Sequence, residues 1–139
     1  MKNTIIGLCL MLAAVTASAE VHKLAIQVSD NDPAKMNIAL NNAQNVQAHY
    51  TALGDSVMVE IVAYGPGLNM YTANSPVKDR IDALSLDENY TFAACGNTHA
   101  KMSKKAGKEV VLLDGTTMVS SGVVRLMELQ SQGYSYVRP

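Results

Sequence analysis

The chain has 139 residues, an apolar share of 48% and a formal net charge of −1. That length suits one domain with an ordinary core. The charge is nearly balanced and scattered, which excludes a basic surface for nucleic acid or for an anionic membrane.

The chain opens with Lys2, an apolar run over residues 5–15, and Ala17, Ser18 and Ala19 in the small-x-small form of a signal-peptidase site. The run is too short to span a bilayer. Cys9 lies inside it, and Ile6 and Leu8 stand where a lipoprotein would need small residues. The expectation is a leader over residues 1–19, cleavage before Glu20, and export to the periplasm or medium without a membrane anchor. Residues 20–139 are then a single domain with a net charge of about −2, in which Cys95 is the one thiol. One cysteine forms no internal disulfide framework.

Strand and helix alternate through that domain. Residues 23–29 (KLAIQVS) predict a first strand. Asp32 as N-cap and Pro33 at the first helical position open a helix. Met36, Ala39, Leu40, Ala43, Val46, Tyr50 and Leu53 recur on one face of it, and Gly54 closes it as a left-handed cap. Residues 56–64 (SVMVEIVAY) are apolar except for Glu60, as in a strand covered on both faces. Gly65, Pro66 and Gly67 follow, a loop whose backbone can approach a ligand or a second chain closely.

Ser75 and Pro76 predict a second helix, with Val77, Ile81 and Leu84 buried. Residues 88–94 predict a third strand that ends at Cys95. Asn97 or Thr98 would cap the next helix, which runs to about Lys105. Lys101, Lys104 and Lys105 near its carboxyl end suit the helix dipole without any ligand. Residues 109–113 predict a fourth strand. A last helix after Ser120, Ser121 and Gly122 is expected to turn Val123, Leu126 and Met127 inward, before a fifth strand over residues 134–137.

Five strands separated by helices predict an α/β fold: an open, mostly parallel five-stranded sheet with helices on both faces. Ligands in such sheets bind beyond the carboxyl ends of the strands, near a switch in strand order. Gly65 to Gly67, Cys95 to Thr98, and the pair Thr116 and Thr117 are assigned to that edge.

Cys95 is the candidate reactive group. The thiolate is the nucleophile, and a helix amino terminus lowers a thiol's pKa; His99 is placed near the same mouth. The competing reading is an inert, buried small side chain. No C-x-x-C is present, so dithiol chemistry is out. Lys101 stands where a phosphatase loop would carry arginine. The three histidines show no zinc-ligand spacing, and no dinucleotide or phosphate-loop fingerprint calls for a cofactor. Met36, Met58, Met70, Met102, Met118 and Met127 are unclustered, which fits core filling better than copper.

Three segments together carry a family resemblance: 59–68 (VEIVAYGPGL), 92–98 (FAACGNT) and 120–139 (SSGVVRLMELQSQGYSYVRP). In these the chain resembles the DsrE/DsrF-like sulfur-relay family, and specifically its small exported members. The resemblance implies a compact α/β domain that assembles into trimers or hexamers. It implies that Cys95 carries sulfane sulfur as a persulfide between a donor and an acceptor protein. Gly96, Asn97 and Thr98, with Gly65, Pro66 and Gly67, would line the substrate site. Relay members act in reducing cytoplasm, whereas an exported thiol needs protection or a reducing partner. Two other readings stand beside the carrier: a non-catalytic oligomeric module that binds a small ligand or protein and has a structural cysteine, and a redox-sensing thiol.

Overall fold

A computed structural model describes residues 18–139. Most of the expected leader, residues 1–17, lies outside the described residues. The elements in chain order are β1 (Val21–Val28), α1 (Pro33–Ala52), β2 (Ser56–Ala63), a 3₁₀ helix (Gly65–Tyr71), α2 (Lys78–Leu84), β3 (Tyr90–Cys95), α3 (Gly96–Ala106), β4 (Thr116–Val119), α4 (Gly122–Ser131) and β5 (Ser135–Val137). All neighbouring strands pair in parallel, in the order β4-β3-β2-β1-β5. The α/β class and the helices on both faces agree with the sequence, and the sheet is wholly parallel.

Local chemistry sets the element ends. Asp32 accepts the Ala34 amide at 2.8 Å and Pro33 follows it, so α1 starts where a cap and a preset φ coincide. Gly54, at φ +87°, lets the chain leave α1 through the left-handed region. β2 is the central strand. Its Val57, Val59, Ile61 and Ala63 face one core and its Val62 faces another, which is why its apolar run is nearly unbroken.

The two cores differ in depth. On the first face, twenty buried residues join β1, β2 and β3 to α1, α2 and the 3₁₀ helix, with Met102 of α3 packed against them. There Tyr71 donates its hydroxyl to the Ile61 carbonyl at 2.5 Å. On the second face only Leu126 and Leu129 of α4 close over Ala25, Val62 and Ala93. Small sheet residues let α4 sit close. Gly122 brings its first turn against Tyr64, where an added Cβ would lie 2.9 Å from the ring.

Glu60, the exception in β2, points into that second face. Its side chain is 4% exposed and receives Nε and Nη2 of Arg125 at 2.6 and 2.7 Å. A bidentate guanidinium is the partner that lets a carboxylate stand in a sheet interior. Burial and Glu60 also push the Tyr134 hydroxyl above its usual range.

Two expectations are corrected. Residues 109–113 are not a strand. They return along the first face, with the Leu113 amide on the Tyr71 carbonyl at 2.8 Å and one antiparallel bridge between Thr72 and Leu112. Thr116–Val119 pairs with β3 instead. The apolar run imitates a strand because a connection that buries Leu113 against a helical layer has the same short hydrophobic pattern. Thr116 and Thr117 therefore begin β4 and do not belong to the carboxyl edge. In α4, Leu126 is buried as expected, but Val123 and Met127 are 54% and 65% exposed. The buried stripe runs Gly122, Leu126, Leu129, because close packing on Tyr64 turns the glycine inward and rotates the valine out.

The thin second core generates two predictions. Leu129→Ala should cost about 2–5 kcal/mol in urea unfolding, and amides of α4 should exchange with solvent before those of α1. Equal protection of the two helices would contradict this layering. Arg125→Met, which strands a buried carboxylate, should cost about 3 kcal/mol at neutral pH. Combining it with Glu60→Leu should restore most of that loss.

Candidate functional site at the carboxyl edge of the sheet

Four strands, β1 to β4, end side by side at this edge. Ala63 pairs with Ala94 and Cys95 with Val119, so Tyr64, Cys95 and Ser120 leave the sheet as neighbours. α3 then packs on the first face and α4 on the second. The connections from β3 and β4 diverge to opposite faces, and this is the switch point that opens a crevice in parallel sheets. Cys95 stands at its root and is 4% exposed.

The thiol occupies a helix cap. α3 begins at Gly96, and Cys95, in an extended conformation, is its N-cap. This corrects the expected cap at Asn97 or Thr98. Those two residues are instead the second and third helical positions, whose amides an N-cap side chain normally accepts. The sulfur makes no side-chain capping hydrogen bond, yet both amides lower its pKa. So does the amide of Gly122, the first residue of α4. Two helix amino termini thus converge on one sulfur.

Burial pushes the Cys95 thiol up, and hydrogen bonding more than reverses it. The Thr98 hydroxyl acts first, then the amides of Gly122, Thr98 and Asn97, and together they hold the thiol below its ordinary value. The Thr98 Oγ1 accepts the Gly65 amide at 2.9 Å. With that lone pair engaged, its proton is available to sulfur. The loop after β2 is in this way joined to the first turn of α3 through a single hydroxyl.

The remaining expected residues divide. Gly96 is placed for close approach: an added Cβ would lie 3.0 Å from the Val119 carbonyl oxygen. The amide of Asn97 donates to the Ser120 carbonyl at 3.2 Å, which ties α3 to the end of β4. Gly65 and Pro66 line a groove of about 660 Å³ along α3, with Asn69, Thr98, Lys101 and Lys105. Gly67 faces away from it. A Cβ there would lie 2.2 Å from the Val28 carbonyl oxygen, so its role is to let the 3₁₀ helix press on the end of β1.

His99 has a partner of its own. Its Nε2 donates to the Val110 carbonyl at 2.7 Å, which fixes the wall opposite the loop. Residue reasoning missed Gly122 and the two groove lysines. A serine-serine-glycine start was visible as a helix signal, but only strand order shows that this helix points at Cys95.

Thr98→Val tests the thiol environment. The pH midpoint of iodoacetamide alkylation at Cys95 should lie below the ordinary thiol range in the wild type and rise in the variant. Alkylation at neutral pH should slow several-fold with it. An unchanged midpoint would show that the hydroxyl does not act on sulfur.

No family model matches the chain, and no curated protein does. Among solved structures, the protein of unknown function MTH1491 from Methanobacterium thermoautotrophicum is similar to it, with a TM-score of 0.71 and 26% identity. The match covers 85% of this chain and 99% of that one, and it agrees with the α/β fold.

Proposed function

We propose that the chain is a one-cysteine sulfur carrier of the DsrE/DsrF-like kind, which accepts sulfane sulfur as a persulfide on Cys95 and passes it to an acceptor. The observation that carries this reading is the position of Cys95, the N-cap of α3 where the connections from β3 and β4 part to opposite faces, with Thr98 and the first amide of α4 holding its thiol below the ordinary pKa. Preorganised donors of this kind stabilise anionic sulfur before and after transfer.

The step balances without an oxidant. The Cys95 thiolate attacks the outer sulfur of a donor persulfide. A new S–S bond forms, the donor's own S–S bond breaks, and the donor thiolate leaves with the electron pair. Transfer to the acceptor repeats this in reverse. The resemblance in 59–68, 92–98 and 120–139 supports the same chemistry, and the signal-peptide-like pattern of residues 1–19 supports action outside the cytoplasm.

A second reading has its own support. The thiol is buried, while Met58, Val123, Val124 and Met127 leave apolar surface exposed around α4 and β2. Those features favour a homo-oligomer, a trimer or hexamer by the resemblance, in which the edge binds a ligand or protein and Cys95 is structural. No helix among the described residues is long and apolar enough to cross a membrane.

Mass spectrometry separates the two. Pre-reduced protein, freed of reductant and incubated with a persulfide donor, should gain the mass of one sulfur atom that Cys95→Ala does not gain. If the wild type gains nothing, or the variant gains as much, the carrier reading is wrong.

A further inference from the structure

The amino edge of the sheet, opposite Cys95, gathers three metal-ligating side chains. β1 and β2 run parallel with Val21 beside Ser56, so the residues just before them, Glu20 and Asp55, are neighbours. The Ser56 amide donates to the Glu20 carbonyl and the Asp55 amide to the Tyr50 carbonyl, both at 3.0 Å, which fixes both backbones. Glu20 and His22 stand two residues apart and share a face of the strand. Ligand atoms of Glu20, His22 and Asp55 all lie within 4.8 Å of one another. His22 and Asp55 are 33 positions apart in sequence, so the histidine spacing by itself shows no ligand pattern.

The imidazole is held in place. Its ring stacks on that of Tyr50 in α1, with centroids 3.6 Å apart and planes 21° apart. His22 Nε2 lies 3.1 Å from Asp55 Oδ2, and both side chains are 23% exposed. The Glu20 amide donates to the other oxygen, Oδ1, at 2.9 Å, which orients the carboxylate. Two atoms bound to one ion at about 2 Å lie roughly 3 Å from each other, so the His22–Asp55 pair already has the spacing of two ligands. Two carboxylates this close repel, and a cation between them relieves the repulsion. Lys23 does not supply it: its ammonium donates to the Gln132 carbonyl at 3.2 Å and lies over the Tyr134 ring. A cavity of about 460 Å³, lined by Glu20, His22, Tyr50 and Gln132 among others, gives a way in from solvent.

We propose that Glu20, His22 and Asp55 bind one divalent transition-metal ion of the zinc type. His22 Nε2, Asp55 Oδ2 and a Glu20 carboxylate oxygen are the three protein ligands, and water takes the remaining position. One imidazole among oxygen ligands favours zinc over magnesium or calcium, which prefer oxygen alone. The Glu20 amide and the Tyr50 ring act as outer supports that fix the carboxylate and the imidazole. Bound there, the ion joins the start of β1 to the turn between α1 and β2, and so staples the amino edge of the two central strands. The site lies at the other end of the sheet from Cys95 and is independent of sulfur chemistry there.

The test titrates purified, metal-stripped protein with Zn²⁺ in competition with a chromophoric chelator, and with Mg²⁺ as the control ion. One equivalent of Zn²⁺ should bind and raise the thermal midpoint by several degrees, and Mg²⁺ should do neither. His22→Gln and Asp55→Asn should each weaken Zn²⁺ binding at least about tenfold, while His99→Gln, on α3, should leave the affinity unchanged. A measurement on the wild type guards against a variant that fails to fold. Paramagnetic Co²⁺, added stepwise, should broaden the ring resonances of His22 in NMR spectra before those of His99. Three results overturn the proposal and leave His22 and Asp55 as an ion pair only: no saturable Zn²⁺ binding, binding that survives both substitutions, or broadening of His99 first.

Discussion

The handedness of parallel connections governs this molecule. β1 to β2, β2 to β3 and β3 to β4 each step the same way across the sheet, so right-handed crossovers place α1, α2 and α3 on one face. The fifth strand lies beyond β1, and the chain must cross the whole sheet to reach it, which sends α4 to the other face. The deep and shallow cores, the lone covering helix and the crevice above Cys95 all follow from that single reversal. A reversal elsewhere in the strand order would have left the thiol under a helix instead of between two.

Charge placement follows the same geometry. α4 must hold the second face with few apolar contacts, and the Glu60–Arg125 pair supplies directionality where leucines alone would let the helix rotate. At the carboxyl edge the reversal brings the first turns of two helices together. The Asn97 amide finds its acceptor in the Ser120 carbonyl, while the amides of Gly122 and Thr98 act on the Cys95 sulfur. Among the described residues no buried side-chain nitrogen or oxygen lacks a partner.

Much of the fold was legible in residues. The Asp32 and Pro33 start, the Gly54 exit, the unbroken run of β2 and the strand that ends at Cys95 each announce themselves through local chemistry. The fourth strand did not, because residues 109–113 and Thr116–Val119 are both short, and only pairing with β3 decides between them. The rotation of α4 was hidden for a related reason. A glycine has no hydropathy, so a buried stripe headed by Gly122 is invisible to a search for apolar spacing. At the site, Cys95, Thr98 and Gly65 could be singled out from one strand and one loop. Gly122 could not, since its approach to sulfur depends on a strand neighbour more than twenty residues away in sequence. The groove lysines were read through the helix dipole, which accounts for their charge and says nothing of the loop facing them.

Gly67 shows how such an edge can and cannot be rebuilt. Its Cβ position lies inside the carbonyl group of Val28, so a side chain there would have to displace the end of β1 itself. Pro66 and Asn69, one step before and two steps after, line the open groove and touch no such limit. Attempts to retarget the pocket to other ligands therefore have two adjustable positions on the loop and one that is closed to every other amino acid. Diversity at this mouth has to come from residues flanking a fixed hinge point, with the hinge glycine itself left unchanged.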